Sequence, residues 1–138
     1  MSDMADFNAG VIEEFRAGGG KAGGMFEGKP LLLLHNVGAK SGTEFVTPLV
    51  YLPEGGDYVI FASKGGAPNN PGWYHNLKAG PSVSIEVGTE KLDVTATEVT
   101  GEERDRLFGI QKEQQPQFAE YEANTDRTIP VIVLSPRG

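Results

Sequence analysis

The chain has 138 residues, and 19 acidic against 12 basic residues give it a net charge of −7. It contains no cysteine, which excludes a disulfide framework, a zinc–thiolate site and a cysteine nucleophile. Its acidity disfavours nucleic-acid binding, while its acidic N-terminus and short apolar runs disfavour a signal peptide and a transmembrane segment.

The length is that of one domain, which we expect to span residues 1–138. A chain of this size buries roughly two-thirds of the surface that its unfolded form exposes, so it needs no metal or disulfide to hold a core. We expect a cytoplasmic protein, with loose membrane association as an open alternative. We expect no nucleic-acid partner and no bound metal.

Short apolar segments separated by glycine-rich turns fill the first half of the chain. Apolar residues on one helical face predict an amphipathic helix over residues 6–17, which three glycines end. Three strands are predicted, at residues 31–37, 45–52 and 58–62. Turns are predicted at residues 38–42 and 54–57. Pro48 indicates that its strand lies at a sheet edge or contains a bulge, because proline cannot donate to the ladder.

A helix and a hairpin are predicted to open the second half. Asn70 is a plausible N-cap, Pro71 suits the first helical position, and Gly80 suits the C-terminal stop. Residues 82–87 and 91–99 alternate between apolar and polar side chains. This pattern predicts two paired strands with one buried face.

The remaining segments are a longer helix, a short one and a closing strand. Residues 100–103 have the pattern of a capping box, opening a helix that extends to about Gln115. Within it, Glu102 and Arg106 are spaced as an i,i+4 ion pair. Residues 116–121 are a short helix or a loop, and residues 129–134 are a strand.

Six strands and about three helices are therefore predicted. Most links between the strands are shorter than the dozen residues that a parallel crossover needs. The strands should therefore pair mostly antiparallel. The predicted fold class is mainly β, a small barrel or curved sheet with helices on its flanks.

The turn Gly38-Ala39-Lys40-Ser41-Gly42 is the first candidate site. Its lysine, hydroxyl and backbone N–H groups could hold an anion such as a phosphate. It is not a P-loop, because Ala39 precedes the lysine and a strand, not a helix, follows. The alternative is an ordinary hairpin turn with a solvated lysine.

The segment Ser63-Lys64-Gly65-Gly66 repeats this chemistry after another strand. It leads into the N-terminus of the helix that begins near Asn70, where N–H groups favour anions. The alternative is a surface loop. In the same helix, Trp73 is either a core residue or a ligand contact. Asn76 is either a plain surface amide or a group that binds a loop or a ligand carbonyl.

Other catalytic patterns are weak. His35 and His75 lack partners at metal-ligand spacing, and no serine nucleophile elbow is present. Phe118 and Tyr121 lie in a segment of low regularity and could form a lid over a pocket or close the end of the barrel.

Several segments together carry a family resemblance over most of the chain. In chain order they are Val11-Ile12-Glu13-Glu14-Phe15-Arg16, Gly38-Ala39-Lys40-Ser41-Gly42, Pro48-Leu49, Ala62-Ser63-Lys64-Gly65-Gly66, Asn70-Pro71-Gly72-Trp73, Asn76-Leu77 and Thr125-Asp126-Arg127-Thr128-Ile129-Pro130. This ordered set resembles the deazaflavin-dependent nitroreductases of actinobacteria. The resemblance implies a split β-barrel of the flavin-reductase type and the cofactor coenzyme F420, a deazaflavin with a phospholactyl and polyglutamate tail.

By matching positions, the resemblance also implies a set of cofactor-binding residues. Those expected to meet the tail are Lys40, Ser41, Gly42 and Thr43. Those expected to line or close around the deazaflavin are Pro48, Phe61, Ala62, Ser63, Lys64, Gly65 and Gly66. Trp73 and Asn76 would support or contact the cofactor loop, and Lys21, Lys29 and Arg16 could add positive charge.

The implied activity is hydride transfer from reduced F420 to a small electron-poor acceptor: a quinone, an enone or a nitro compound. Tyr121 is a candidate proton donor or a lid on the substrate side. Phe118 and residues 114–117 depart from the family pattern, which leaves substrate choice open. The alternatives are a split-barrel reductase that uses FMN and a non-catalytic deazaflavin-binding protein. The chain is expected to be a monomer or a homodimer.

Overall fold

The computed structural model describes residues 3–21, 28–63 and 70–137. Seven strands are present there: β1 Leu31–Val37, β2 Glu44–Val50, β3 Leu52–Glu54, β4 Asp57–Phe61, β5 Ser82–Val87, β6 Glu90–Val99 and β7 Val131–Pro136. Four helices accompany them: α1 Asp3–Ala17, α2 Gly72–Ala79, α3 Gly101–Gln114 and α4 Gln117–Ala123. None of these helices is long and apolar enough to cross a membrane.

The seven strands form one sheet, in the order β2-β1-β5-β6-β7-β4-β3, and every neighbouring pair is antiparallel. The two outer strands, β2 and β3, are joined in the chain by Tyr51 alone. The two ends of the sheet must therefore lie close together, so the sheet curls into a half-barrel. The predicted strand 45–52 becomes two strands because the chain changes its partner from β1 to β4 at Tyr51.

The interior of the half-barrel is the main core. Residues that alternate along the strands point into it, as do two side chains from α2. Its buried members are Leu32, Leu34, Ile60, Ala62, Trp73, Leu77, Ile85, Val94, Ile132 and Leu134. Each large apolar side chain buried in this way contributes roughly 1.5–3 kcal/mol.

Two helical layers cover the outer face of the sheet. Val11 and Phe15 of α1 pack against Leu31 and Leu33 of β1. Helices α3 and α4 cover the other side of the sheet with a second cluster: Leu52, Val59, Phe61, Leu107, Phe108, Phe118, Ile129 and Val131. Strands β1 and β4 are therefore buried on both faces, which explains their continuous apolar sequences. The side chain of Phe7, predicted on the same face of α1, lies outside the described part of the chain.

The predicted hairpins and the edge position of Pro48 are confirmed. Pro48 lies in β2, whose single sheet partner among the described strands is β1, so β2 is an edge strand, where proline is tolerated. The turn between β3 and β4 places Gly55 and Gly56 at φ 56° and 92°, a conformation that glycine adopts without strain. The turn between β5 and β6 also contains a left-handed glycine, Gly88, at φ 62°.

The predicted N-terminal caps are wrong in detail, whereas Gly80 is the C-cap of α2, as predicted. Helix α2 begins at Gly72 with Pro71 as its N-cap, because the side chain of Asn70 bonds to Arg127 instead. Thr100 is the N-cap of α3, but its side chain makes no capping bond.

The predicted Glu102–Arg106 pair is also wrong. Arg106 forms ion pairs with Glu103, at 2.7 Å, and with Glu54, at 2.9 Å. Glu103 is therefore engaged with Arg106, and Glu54 ties α3 to the end of β3. Arg106 pairs with these two residues because both carboxylates lie within reach of its planar guanidinium.

Candidate functional site

The turn of residues 38–42, which we call the Lys40 turn, joins β1 to β2 and is held by its own backbone. The N–H of Gly38 donates to the carbonyl of Thr43 at 2.7 Å, and the N–H of Gly42 donates to the carbonyl of Gly38 at 3.0 Å. Ser41 Oγ accepts from the N–H of Thr43 at 3.1 Å. Gly42 has φ 73°, so a side chain there would be strained.

The Lys40 turn presents a small group of donors to solvent. Lys40 and Ser41 are exposed, and no described residue accepts a hydrogen bond from their N–H groups. Four neighbouring N–H groups, from Gly38, Ala39, Gly42 and Thr43, already have partners. The donors that could hold an anion are thus fewer than the sequence predicted, and they come from Lys40 and Ser41.

A pair of side-chain amides connects the Lys40 turn to α2. Asn76 Oδ1 accepts from the N–H of Ala39 at 2.9 Å, and Asn76 Nδ2 donates to Asn36 Oδ1 at 2.7 Å. Asn36, only 2% exposed, donates in turn to the carbonyl of Leu34 at 3.3 Å. Asn76 is therefore a loop-binding amide, one of its predicted alternatives. Asn36 was missed by sequence reasoning, although a polar residue near the end of the apolar β1 strand was a usable signal.

The second candidate segment begins where β4 ends. Ala62 and Ser63 are buried, and Asn70 lies at the far end of the segment. Lys64, Gly65 and Gly66 lie outside the described residues.

Arg127 lies between the two ends of this segment. Its Nη1 donates to the carbonyl of Ala62 at 3.0 Å and to Asn70 Oδ1 at 2.7 Å. Its Nη2 donates to the carbonyl of Ser63 at 2.7 Å. Burial lowers the pKa of Arg127 from its usual value. Sequence reasoning gave Arg127 no role, because nothing in the chain order shows that it meets residues 57 to 65 positions away.

Other predicted site residues lie in the interior. Pro48 and Phe61 are buried, and the side chain of Phe61 lies in the cluster under α3 and α4. Trp73, 8% exposed, packs into the barrel core, which agrees with the core alternative for its side chain. Any contact of Pro48 or Phe61 with a ligand would therefore have to involve a small part of their surface or their backbone.

The aromatic segment of α4 also packs inward. Phe118 lies 5.7 Å from Phe61 and 5.1 Å from Tyr121, measured between ring centroids, with the rings edge to face. Tyr121 is half-buried at the edge of this cluster. Phe118 therefore closes the outer core. The end of α4 and the following residues, 123–127, line a cavity of about 580 Å³ that includes Arg127.

A charged cluster joins α1 to the sheet. Glu86 accepts two hydrogen bonds from Arg16, at 3.1 and 2.6 Å, and lies 2.6 Å from His35 Nε2. The hydrogen bonds from Arg16, aided by His35, lower the pKa of Glu86 to about 2 although burial opposes them. Arg16 is therefore engaged by Glu86 instead of adding positive charge to the Lys40 turn. Among the residues that the structure describes, no group of three His, Cys, Asp or Glu side chains could hold a metal ion.

A family model, a sequence relative and a solved structure point to the same family. The family model for F420H(2)-dependent quinone reductase matches residues 10–136. An F420H(2)-dependent quinone reductase of Mycobacterium tuberculosis is 44% identical over 127 residues, which cover 89% of this chain and 85% of that protein. The solved structure of the F420-H2 dependent reductase FDR-A is 45% identical, with a TM-score of 0.70, and covers 77% of this chain and 94% of its own. A structure described as a domain-swapped dimer is 39% identical, with a TM-score of 0.73, and covers 96% of this chain and all of its own.

Proposed function

The chain belongs to the F420H(2)-dependent quinone reductase family, and from this premise we propose that it transfers a hydride from reduced F420 to a quinone or a similar electron-poor acceptor. Enones and nitro compounds are further candidate acceptors. The hydride chemistry is supplied by the deazaflavin when it is bound. The chain's own residues bind it, orient it and exclude water.

One observation about the structure carries the proposal. The exposed Lys40 turn offers a lysine and two N–H groups without partners among the described residues, in a chain whose net charge is −7. An anionic tail of phosphate and glutamates needs such a local positive site. Since Asn76 and Asn36 brace the turn from the barrel, its donors are held in place before any ligand arrives.

We assign the remaining contacts by the family positions. Ser41, Gly42 and Thr43 are proposed to border the tail together with Lys40. Lys64, Gly65 and Gly66, outside the described residues, are proposed to close around the deazaflavin. The residues proposed to line the ring are Pro48, Phe61, Ala62 and Ser63, and the residues proposed to support or contact the cofactor loop are Trp73 and Asn76. Of these, Trp73 acts by packing α2 against the barrel core.

Tyr121 is proposed either to donate a proton to the acceptor or to cover the acceptor as a lid on the substrate side. Its ring is half-buried against Phe118, which limits its movement. Replacing Tyr121 by phenylalanine keeps this packing and removes the hydroxyl. A proton donor predicts a lower turnover number and an altered pH–rate profile for Tyr121→Phe, whereas unchanged turnover would leave Tyr121 as a packing residue.

The proposal takes residues 1–138 as one split-barrel domain, since all strands of the described part belong to one sheet. It also takes the protein to be cytoplasmic. Both a monomer and a homodimer are compatible with it, and a relative of solved structure is described as a domain-swapped dimer. Light scattering on the purified protein, with and without F420, distinguishes the two.

The binding experiment is a titration of the purified protein with F420, followed by the change in the cofactor's fluorescence. We expect saturable binding at micromolar concentration or below. No binding at that concentration would refute the proposal. A yellow protein after purification would instead support the FMN alternative.

The catalytic experiment separates an enzyme from a binding protein. Reduced F420 is mixed with the protein and menadione, and its oxidation is followed by absorbance. We expect steady consumption over many turnovers. Binding of F420 without consumption in the presence of quinone, enone and nitroaromatic acceptors would favour the non-catalytic alternative.

A further inference from the structure

Arg127 joins three parts of the chain that are far apart in sequence. It lies between α4 and β7, and its two terminal nitrogens reach the carbonyls of Ala62 and Ser63 and the side-chain oxygen of Asn70. The three distances are 3.0, 2.7 and 2.7 Å. These lengths are those of good hydrogen bonds, and the two shorter ones are typical of a charged donor.

The three acceptors bracket one segment of the chain. Ala62 and Ser63 are the last described residues before residues 64–69, and Asn70 is the first one after them. One guanidinium therefore binds both ends of the connection between β4 and α2. The carbonyls of Ala62 and Ser63 lie beyond the end of β4, and both residues are buried. Without Arg127, these buried carbonyls would lack that donor, at a cost in stability.

The shape of the arginine side chain suits this task. A guanidinium is planar and presents its donors at set angles, so two nitrogens can serve three acceptors on two chain segments at once. A lysine has a single ammonium on a flexible stem and cannot reproduce this geometry. The arrangement thus depends on the fork of the arginine and not on its charge alone.

We propose that Arg127 is a positioning residue that holds Ala62 and Ser63 in place relative to Asn70, in the arrangement that F420 binding requires. The inference rests on the proposed function, because Ala62 and Ser63 are the residues that we assign to the deazaflavin. Arg127 itself acts through the backbone of Ala62 and Ser63 and through Asn70.

The test compares Arg127→Lys and Arg127→Met with the wild type. Arg137→Met is the matched control, since Arg137 is exposed and makes one long bond of 3.4 Å, to the carbonyl of Val83. Hydrogen exchange of a peptide covering residues 60–72 is measured on the cofactor-free protein, and the Kd for F420 is measured separately. A peptide covering residues 36–44 reports whether the Lys40 turn is disturbed.

We expect both Arg127 variants to exchange about tenfold faster in residues 60–72 and to bind F420 about tenfold more weakly, the scale of losing hydrogen bonds from a charged group. Exchange in residues 36–44 and the behaviour of Arg137→Met should match the wild type. Asn70→Ala, which removes one of the three acceptors, should show a smaller change in the same direction.

Three results would overturn the inference. Unchanged exchange in both Arg127 variants would mean that the ends of the segment are held without Arg127. Faster exchange with an unchanged Kd would mean that their separation does not matter for the cofactor. Wild-type behaviour of Arg127→Lys would mean that charge alone suffices. A wild-type protein that fails to bind F420 would instead refute the proposed function, while the exchange measurement would still report whether Arg127 holds the segment.

Discussion

At the scale of single residues, the Lys40 turn separates groups that hold the turn together from groups that are exposed to solvent. Ser41 Oγ, Gly38 and Gly42 are used to close the turn itself. Lys40 contributes nothing to this internal bonding, and its side chain is exposed. Its removal should therefore affect binding and leave the fold intact.

We predict that Lys40→Ala weakens F420 binding by about 1–3 kcal/mol, the contribution of a charge-assisted hydrogen bond. The measurement is a fluorescence titration with F420, repeated at high salt, where the difference should shrink. The control is Lys91→Ala, another exposed lysine, on β6. Equal affinities of the wild type and Lys40→Ala for F420 would mean that Lys40 is a solvated turn residue with no role in cofactor binding.

We predict that Asn76→Ala lowers the free energy of unfolding by about 1–3 kcal/mol, because it leaves the N–H of Ala39 and Oδ1 of the buried Asn36 without their partner. It should also weaken F420 binding by loosening the Lys40 turn. Urea unfolding measures the first effect. The control is Gln114→Ala on the exposed end of α3, where we expect little change. A fully stable Asn76→Ala variant would show that the amide pair is not a brace.

At the scale of elements, α3 contains a buried polar residue that its sequence does not explain. Gln111 is 1% exposed, and no described residue accepts a hydrogen bond from its Nε2. It shares the buried face of α3 with Leu107 and Phe108. A buried donor without a partner costs stability.

We predict that Gln111→Met raises the free energy of unfolding by about 1 kcal/mol, because methionine has a similar shape and no donor to satisfy. Thermal and urea unfolding of the variant and the wild type measure this difference in stability. Gln114→Met, at an exposed position on the same helix, serves as the control. Lower stability of Gln111→Met would mean that Nε2 has a partner that the apolar side chain cannot replace.

At the scale of the whole molecule, Glu86 connects three elements: Arg16 of α1, His35 of β1 and its own strand β5. Its pKa falls from 4.5 to about 2 on folding, chiefly through the hydrogen bonds from Arg16. The pKa of Glu86 is lower in the folded than in the unfolded protein, so its ionised carboxylate stabilises the fold. This stabilisation is complete above about pH 4.5 and is lost as the pH falls towards 2.

We predict that Glu86→Gln lowers the free energy of unfolding at pH 7 by about 1 kcal/mol, below the usual range for charged hydrogen bonds because Arg16 is half-exposed. The difference from the wild type should shrink between pH 4.5 and 2, the interval over which Glu86 takes up its proton. Urea unfolding over this pH range measures it. The control is Glu90→Gln, at an exposed position on β6. A difference that persists at pH 2 would contradict the assignment to Glu86 ionisation.

Much of the architecture could be predicted from local patterns. The alternation in residues 82–87 and 91–99, the apolar run of β1 and the glycine turns predicted the antiparallel sheet, and the ordered motifs predicted the F420-dependent family. The errors concern side chains that had more than one possible partner. Asn70 could cap α2 or bond to Arg127, and Arg106 could pair with Glu102 or Glu103. Spacing along the chain does not show which partner a side chain will choose. The alternative pairings differ in energy by less than tertiary packing contributes, so packing decides between them.

The sequence by itself determined the fold class and the Lys40 turn, because periodicity and turn chemistry act over a few neighbouring residues. Its ordered motifs determined the family. Only the tertiary structure decided how the Lys40 turn and the end of β4 are held. Asn36 and Asn76 meet across 40 positions, and Arg127 meets Ala62 across 65, because the curled sheet and α2 bring these segments together. A hydrogen bond depends on distance in space and not along the chain, so residues such as Arg127 acquire a role only once the barrel has formed.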